Sequence, residues 1–330
     1  MAASTSALRR GIRAHVETWR PYTTCYPAMI GSAGAALAGG TWGVQVIAAV
    51  VVPTLGWLSG HYLGDYFDRE LDAIDKSQRP IPSGRLSART AVVCGVACAV
   101  AATVLTLLVN WHALVLVVVA TGGIVAYSRF CKARGLSGNL VRGALTALAL
   151  AVGALLAADR LPWTIAVFAL VLLLHDAASN LVGTMRDVEG DRAGGYRSVP
   201  VRSGIRTAVR MSFGLYAAAM LIVLGAADFV PDPTGYYLLA ALAACAGTAA
   251  FSLLFEHVDD LPPRKALQAH KILVAERLVL TAALIAGGAG AWIALAVLVP
   301  ALVFSLSTQA ALRTGHEFPP PMEQRKATLP

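Results

Sequence analysis

GVQVIAAVVVPTLGWLSGHYLGDYFDRELDAIDK, residues 43–76, runs largely apolar as far as Gly64 and then breaks into a string of carboxylates. A helix needs roughly 20 apolar residues to cross a hydrocarbon layer of ~30 Å. Residues 43–64 meet that length, so the acids that follow stand at the end of a membrane span. The rest of the chain has the same texture. Apolar residues make up 57% of the 330 and charged residues only 14%, against about 25% in a soluble domain. The charges collect in short stretches between apolar runs at about 22–42, 43–64, 88–109, 111–128, 139–158, 162–184, 205–227, 234–255, 270–289 and 291–312. The expected fold is therefore all-α, a polytopic membrane bundle of nine or ten transmembrane helices. The count is open because Glu276 and Arg277 fall inside the ninth run, which could instead lie in the interface.

The net charge of +8 would suggest nucleic acid in a soluble protein. Here the basic residues flank apolar spans, so membrane lipid is the expected partner and nucleic acid is not. With the N-terminus inside, the connections after spans two, four, six and eight hold nearly all the arginines and lysines, while the opposite connections hold Arg160 alone. The positive-inside rule then gives a multi-pass protein whose charged loops face the cytoplasm. Residues 1–21 read as a basic amphipathic lead-in without a signal-peptide core. Residues 22–312 form the membrane domain, and the Pro-rich stretch 313–330 reads as a disordered tail. The five cysteines include no CxxC pair and read as ordinary packing residues.

Asp68 and Asp72 are four residues apart and share one helix face, with Gly64 and His61 one and two turns earlier. After span six, SNLVGTMRDVEGDRAGGYR (179–197) repeats the spacing in Asp187 and Asp191, with Asn180 and Asp176 upstream on about the same face. One such pair is commonly a solvated loop. Two pairs on one membrane side, after comparable spans, call for another cause. Stacked carboxylates at a membrane helix end repel each other and resist desolvation, and a divalent cation removes both penalties. Magnesium takes a few carboxylates together with phosphate oxygens and water, which suits a metal-bridged diphosphate. After span four, AYSRFCKARG (126–135) brings Tyr127 and Lys132 to the same side, where a lysine can meet a phosphate oxygen.

These elements, in this order, resemble the UbiA superfamily of intramembrane prenyltransferases. That family carries NxxxDxxxD after its second helix, a YxxxK-like element after the fourth and DxxxD after the sixth. They correspond here to Gly64–Asp68–Asp72, to Tyr127 with Lys132, and to Asp187–Asp191, with RPIPSG (79–84) and GYRSVPVRSG (195–204) alongside. The resemblance implies a helical bundle around a central cavity, Mg2+ on the aspartates and cleavage of an allylic isoprenyl diphosphate. It assigns Asp68, Asp72, Asp187, Asp191, Lys132 and Tyr127 to catalysis. Arg79, Arg129, Arg186 and Arg192 flank the motifs and, with Asn180 and Asp176, are candidates to hold the substrate. Gly64 departs from the family's asparagine. Either Asp65 or His61 supplies the missing ligand, or the site works with one ligand fewer, or the glycine makes room for a differently seated chain. The expected reaction is prenyl transfer to a lipophilic or aromatic acceptor. A terpene cyclase, in which the chain captures its own cation, is the alternative, and a transporter is a distant third because the acids lie at helix ends rather than mid-membrane.

Overall fold

The computed structural model describes residues 2–40 and 43–319. Helix α1 (Ala2–Trp19) leads into α2 (Pro21–Leu37), α3 (Val44–Asp75), α4 (Ala88–Val109), α5 (Leu114–Ala126), α6 (Leu136–Ala157) and α7 (Thr164–Thr184). Two short helices follow, α8 (Val188–Ala193) and α9 (Val199–Ser203). Then come α10 (Ile205–Gly225), α11 (Pro233–Glu256), α12 (Pro263–Ala289), α13 (Ala291–Thr308) and α14 (Thr314–Glu317). Among the described residues there is no strand, only one bridge between Arg134 and Arg197. Nine helical segments among them are long and apolar enough to cross a membrane, with 111–131 and 291–317 each counting as one. Helix α2, at 17 residues, stands beside these in the bundle and packs on α3, α6 and α12.

Small residues set the close approaches, as expected where lipid supplies no hydrophobic drive between helices. A Cβ on Gly31 would lie 1.7 Å from the Ala49 carbonyl oxygen, and one on Gly153 2.2 Å from that of Gly31. Helices α2, α3 and α6 therefore meet backbone to backbone. Polar caps stop the spans locally. Ser87 accepts from the Thr90 amide at the start of α4, and Asp232 from the Gly235 amide at the start of α11.

The segment at 270–289 is not an interfacial helix. As part of α12 it is nearly all buried and packs against α2, α7, α11 and α13. Its Glu276 is fully buried and bonded to His175, 2.6 Å away, so one of the two charges that unsettled the count has a partner inside the bundle. The last span also runs further than its apolar stretch. A π turn (Gln309–Arg313) carries it past residue 312 into α14, and Arg313, His316 and Glu317 are buried. Of the tail expected at 313–330, residues 313–317 are helix, and 320–330 lie outside the described residues.

Candidate active site

One large cavity opens where the ends of α3, α5 and α7 meet, and its wall includes Asp68, Asp72, Asp187 and Asp191 together with Tyr127 and Lys132. Gly190, between the two aspartates of the second motif, makes this possible. A Cβ there would come within 2.4 Å of Asp75 Oδ2, so only a glycine lets α8 lie against the end of α3. A π turn over Tyr127–Cys131, closed by the Lys132 amide on the Tyr127 carbonyl at 2.9 Å, turns Lys132 inward.

The carboxylates are individually engaged. Lys132 Nζ donates to Asp68 Oδ2. Arg79 Nη1 straddles both Asp72 oxygens at 2.9 and 3.0 Å. Lys76 Nζ donates to Asp187 Oδ1 at 2.9 Å, and Arg186 forks onto both Asp187 oxygens at 3.0 and 2.8 Å. Ser198 Oγ donates to Asp191 Oδ2 at 2.7 Å. Glu317 joins the halves, since Arg79 Nη2 reaches it at 3.1 Å and Arg186 Nη1 at 3.3 Å. Asp72, Arg79, Glu317, Arg186 and Asp187 thus form an unbroken chain of ion pairs between the two motifs.

Burial alone would raise the Asp187 carboxyl, but Arg186 and Lys76 outweigh it and hold it below the usual carboxylate range. Burial pushes Asp191 upward, with the Ser198 hydroxyl offsetting only part of the rise. Lys132 resists the same penalty because Asp68 and Tyr127 stand beside it, and it stays above the ordinary lysine value. Each sign in the site is thus held by the other.

Among the described residues no three Asp, Glu, His or Cys side chains stand close enough to enclose a cation unaided. The donor set nevertheless suits magnesium. It is all oxygen, it comes from two facing helix ends, and Asp68 Oδ1 is buried without a partner. Substrate phosphate oxygens would complete such a site.

The remaining expected residues divide. Arg79, Arg186, Asn180 and Asp176 line the cavity, and Asn180 Oδ1 accepts from Asn139 Nδ2 at 2.9 Å. Arg129 and Arg192 are exposed and off the cavity wall, so they are not brought to the substrate. Asp65 is turned away into an ion pair with Arg20 at 2.6 Å and is not gathered with the other candidate ligands. His61 does line the cavity, but its ring faces Arg20 and Thr23. Gly64 borders open space.

Sequence reasoning missed six charged wall residues: Arg20, Lys76, Arg142, Arg277, Arg313 and Glu317. Arg20 is the one non-glycine residue with a left-handed backbone among those described, at φ 49°, and that kink between α1 and α2 aims it at Asp65. Arg277 did carry a signal, because a guanidinium inside a span is costly unless it has a use.

A profile of the UbiA prenyltransferase family matches residues 24–272. A digeranylgeranylglyceryl phosphate synthase of Natronomonas pharaonis is 34% identical over 211 residues, 64% of this chain and 76% of that protein. The enzyme of the same name from Methanopyrus kandleri is 30% identical over 236 residues, 71% and 86% of the two chains. Among solved structures, a UbiA homologue from Aeropyrum pernix superposes with a TM-score of 0.69 at 19% identity, covering 79% of this chain and 96% of that one. One from Archaeoglobus fulgidus, bound to GPP and Mg2+, gives 0.65 at 16% identity over 83% and 99%.

Proposed function

The chain belongs to the UbiA prenyltransferase family, and from that membership we propose that it transfers a polyprenyl group from its diphosphate to a prenylated glyceryl phosphate, on the cytoplasmic side of the membrane. The enzyme class follows from the family. The acceptor follows from the relatives' product, since removing one geranylgeranyl group from a digeranylgeranylglyceryl phosphate leaves a geranylgeranylglyceryl phosphate with a free hydroxyl.

The observation that carries the reading is the convergence of both aspartate pairs with Lys132, Arg79 and Arg186 on one cavity. That cavity continues inward along an apolar wall of Val52, Ala102, Val117, Ile124 and Val152, suited to a prenyl chain. Asp68, Asp72, Asp187 and Asp191 would hold magnesium, which when bound neutralises the diphosphate and improves it as a leaving group. To take up metal, Asp72 and Asp187 must loosen their hold on Arg79, Lys76 and Arg186, which frees those cations for phosphate oxygens. Lys132 stands ready as a compact charge for the departing diphosphate. The allylic C1–O bond breaks with its electron pair leaving on the diphosphate, and the acceptor oxygen bonds to C1 as its proton passes to the released diphosphate. Holding the two substrates in contact supplies much of the acceleration.

The deeper wall favours transfer over cyclisation. The Arg142 guanidinium covers Trp57 at 4.0 Å and the Arg277 guanidinium covers Tyr26 at 4.1 Å. Trp57 lines the cavity, and its face, which could shelter a migrating carbocation, is thus taken by a fixed positive charge that would repel one.

Purified protein supplied with magnesium and geranylgeranyl diphosphate should form product only when geranylgeranylglyceryl phosphate is added. Chelator, Asp68→Ala and Asp187→Ala should each abolish turnover while the protein stays folded. Cyclic hydrocarbon formed without acceptor would establish the cyclase instead.

A further inference from the structure

Asp176 lies eight residues before Thr184, the last residue of α7, so at ~1.5 Å per helical residue it sits about 12 Å below the helix end that leads into the second aspartate motif. Arg142 from α6 and Arg277 from α12 converge on it, and all three line the cavity. The grouping is poorly balanced. The short hydrogen bond to Asp176 comes from Thr146 Oγ1, at 2.6 Å to Oδ2. Arg142 Nε stands off at 3.8 Å and Arg277 Nη1 at 3.4 Å. One carboxylate therefore serves two guanidiniums loosely, and one positive charge is left over.

The donors are also under-used. Arg277 is 5% exposed, yet its Nε has no hydrogen-bond partner among the described residues. Ser179, one turn beyond Asp176 and on the cavity wall, is 2% exposed with its Oγ equally unpartnered. Meanwhile the flat faces of both guanidiniums rest on Trp57 and Tyr26. Rings on their faces fix the forks and leave edge N–H groups as the free donors. A buried cation in a membrane bundle with unmet donors is costly, and a second anion arriving through the cavity would offset that cost.

The diphosphate of the donor is not that anion, because its cations lie at the motif end. The depth matches the other substrate. The diphosphate and C1 occupy the upper part of the interval, reacting atoms meet at about 3–3.5 Å, and an anion a few bonds beyond the nucleophilic oxygen falls at the arginines. We infer that Arg142 and Arg277, with Ser179, form the binding site for the phosphate monoester of the acceptor. The inference rests on the transferase reading and assigns the second substrate its own anchor.

The test is steady-state kinetics on the full-length enzyme with magnesium and geranylgeranyl diphosphate. Two acceptors are compared, geranylgeranylglyceryl phosphate and the same lipid without its phosphate. Arg142→Gln and Arg277→Gln should each raise KM for the phosphorylated acceptor at least tenfold and leave KM for the diphosphate within twofold. With the dephosphorylated acceptor, whose KM should already be high, the variants should match wild type. Arg277→Lys should restore part of the loss, and Asp176→Asn, which removes the competing carboxylate, should lower KM for the phosphorylated acceptor. Should Arg277→Gln fail to fold, Arg142→Gln and Asp176→Asn carry the same comparison. Equal use of both acceptors by wild type, or equal losses on both in the variants, overturns the site while leaving prenyl transfer intact. A KM for the diphosphate rising in step would reassign the arginines to the donor. Transfer to neither acceptor, with hydrocarbon formed instead, would remove the transferase reading and this inference with it.

Discussion

At Gly64 the chain leaves its family's asparagine, and the space around that position decides what the departure means. A Cβ there meets nothing within 4 Å, and the residue borders the cavity one turn before Asp68. Asp65 does not fill in, because it is committed to Arg20. The position therefore has room for an oxygen donor that the chain does not supply. Gly64→Asn should fold as well as wild type, since asparagine costs a helix interior no more than glycine does, roughly a few tenths of a kcal/mol less. Its amide oxygen should lower the magnesium concentration needed for half-maximal activity several-fold. Magnesium titration of the initial rate checks this, and an unchanged or higher requirement would show that the space serves the prenyl chain. The aspartates were legible in the sequence because two equal spacings after comparable spans rarely arise by chance. Most of the arginines were not. A basic residue next to a span is already accounted for by topology, so Lys76 looked like charge bias until the fold turned it onto Asp187.

Among the elements, the spans were readable and the strap that closes the site was not. An uninterrupted apolar run marks α4 or α10 within a residue or two of its true ends. The end of the last span is Gln-Ala-Ala-Leu-Arg-Thr-Gly-His-Glu, which reads as the polar start of a tail. Its burial comes from partners far away in sequence. Arg20 Nε donates to His316 Nε2 at 3.2 Å, Gln78 to the His316 carbonyl at 3.1 Å, and Arg313 lies 2.8 Å from His270. No local pattern foretells that. Glu317 is the carboxylate of this network that belongs to neither aspartate motif, so it can keep Arg79 and Arg186 aimed at one point when Asp72 and Asp187 turn to metal. Glu317→Ala should cost roughly 1.5–3 kcal/mol of stability, the scale of hydrogen bonds to charged groups. It should also raise KM for the prenyl diphosphate more than it lowers kcat. A variant with reduced thermal stability but unaltered KM would make the strap purely structural.

At the scale of the whole molecule, the two ends of the chain bear on the number of crossings, which composition left at nine or ten. Arg20, just before α2, touches His316, just past α13; Arg20 also pairs with Asp65 near the motif end of α3, and His316 and Glu317 meet Gln78 and Arg79 in the loop that follows it. With Arg20 and Glu317 on one face of the bundle, the chain between them crosses it an even number of times. Among the described residues nine segments pass on length and composition; α2 makes the tenth, rising about 26 Å in its 17 residues, close to the ~30 Å hydrocarbon thickness. The face bearing the motifs collects Arg69, Lys76, Arg79, Lys132, Arg186 and Arg197, whereas the loops at the other face carry Arg160 against Asp159, Asp228 and Asp232. The positive-inside rule then predicts that the motif face, and with it Arg20 and Glu317, lies in the cytoplasm. Reporter fusions at the N-terminus, at the C-terminus and in the 226–232 loop should place the first two inside and the third outside. Termini on opposite sides would mean that α2 does not cross. Both termini outside would invert the molecule and put the diphosphate site on the face away from cytoplasmic substrate.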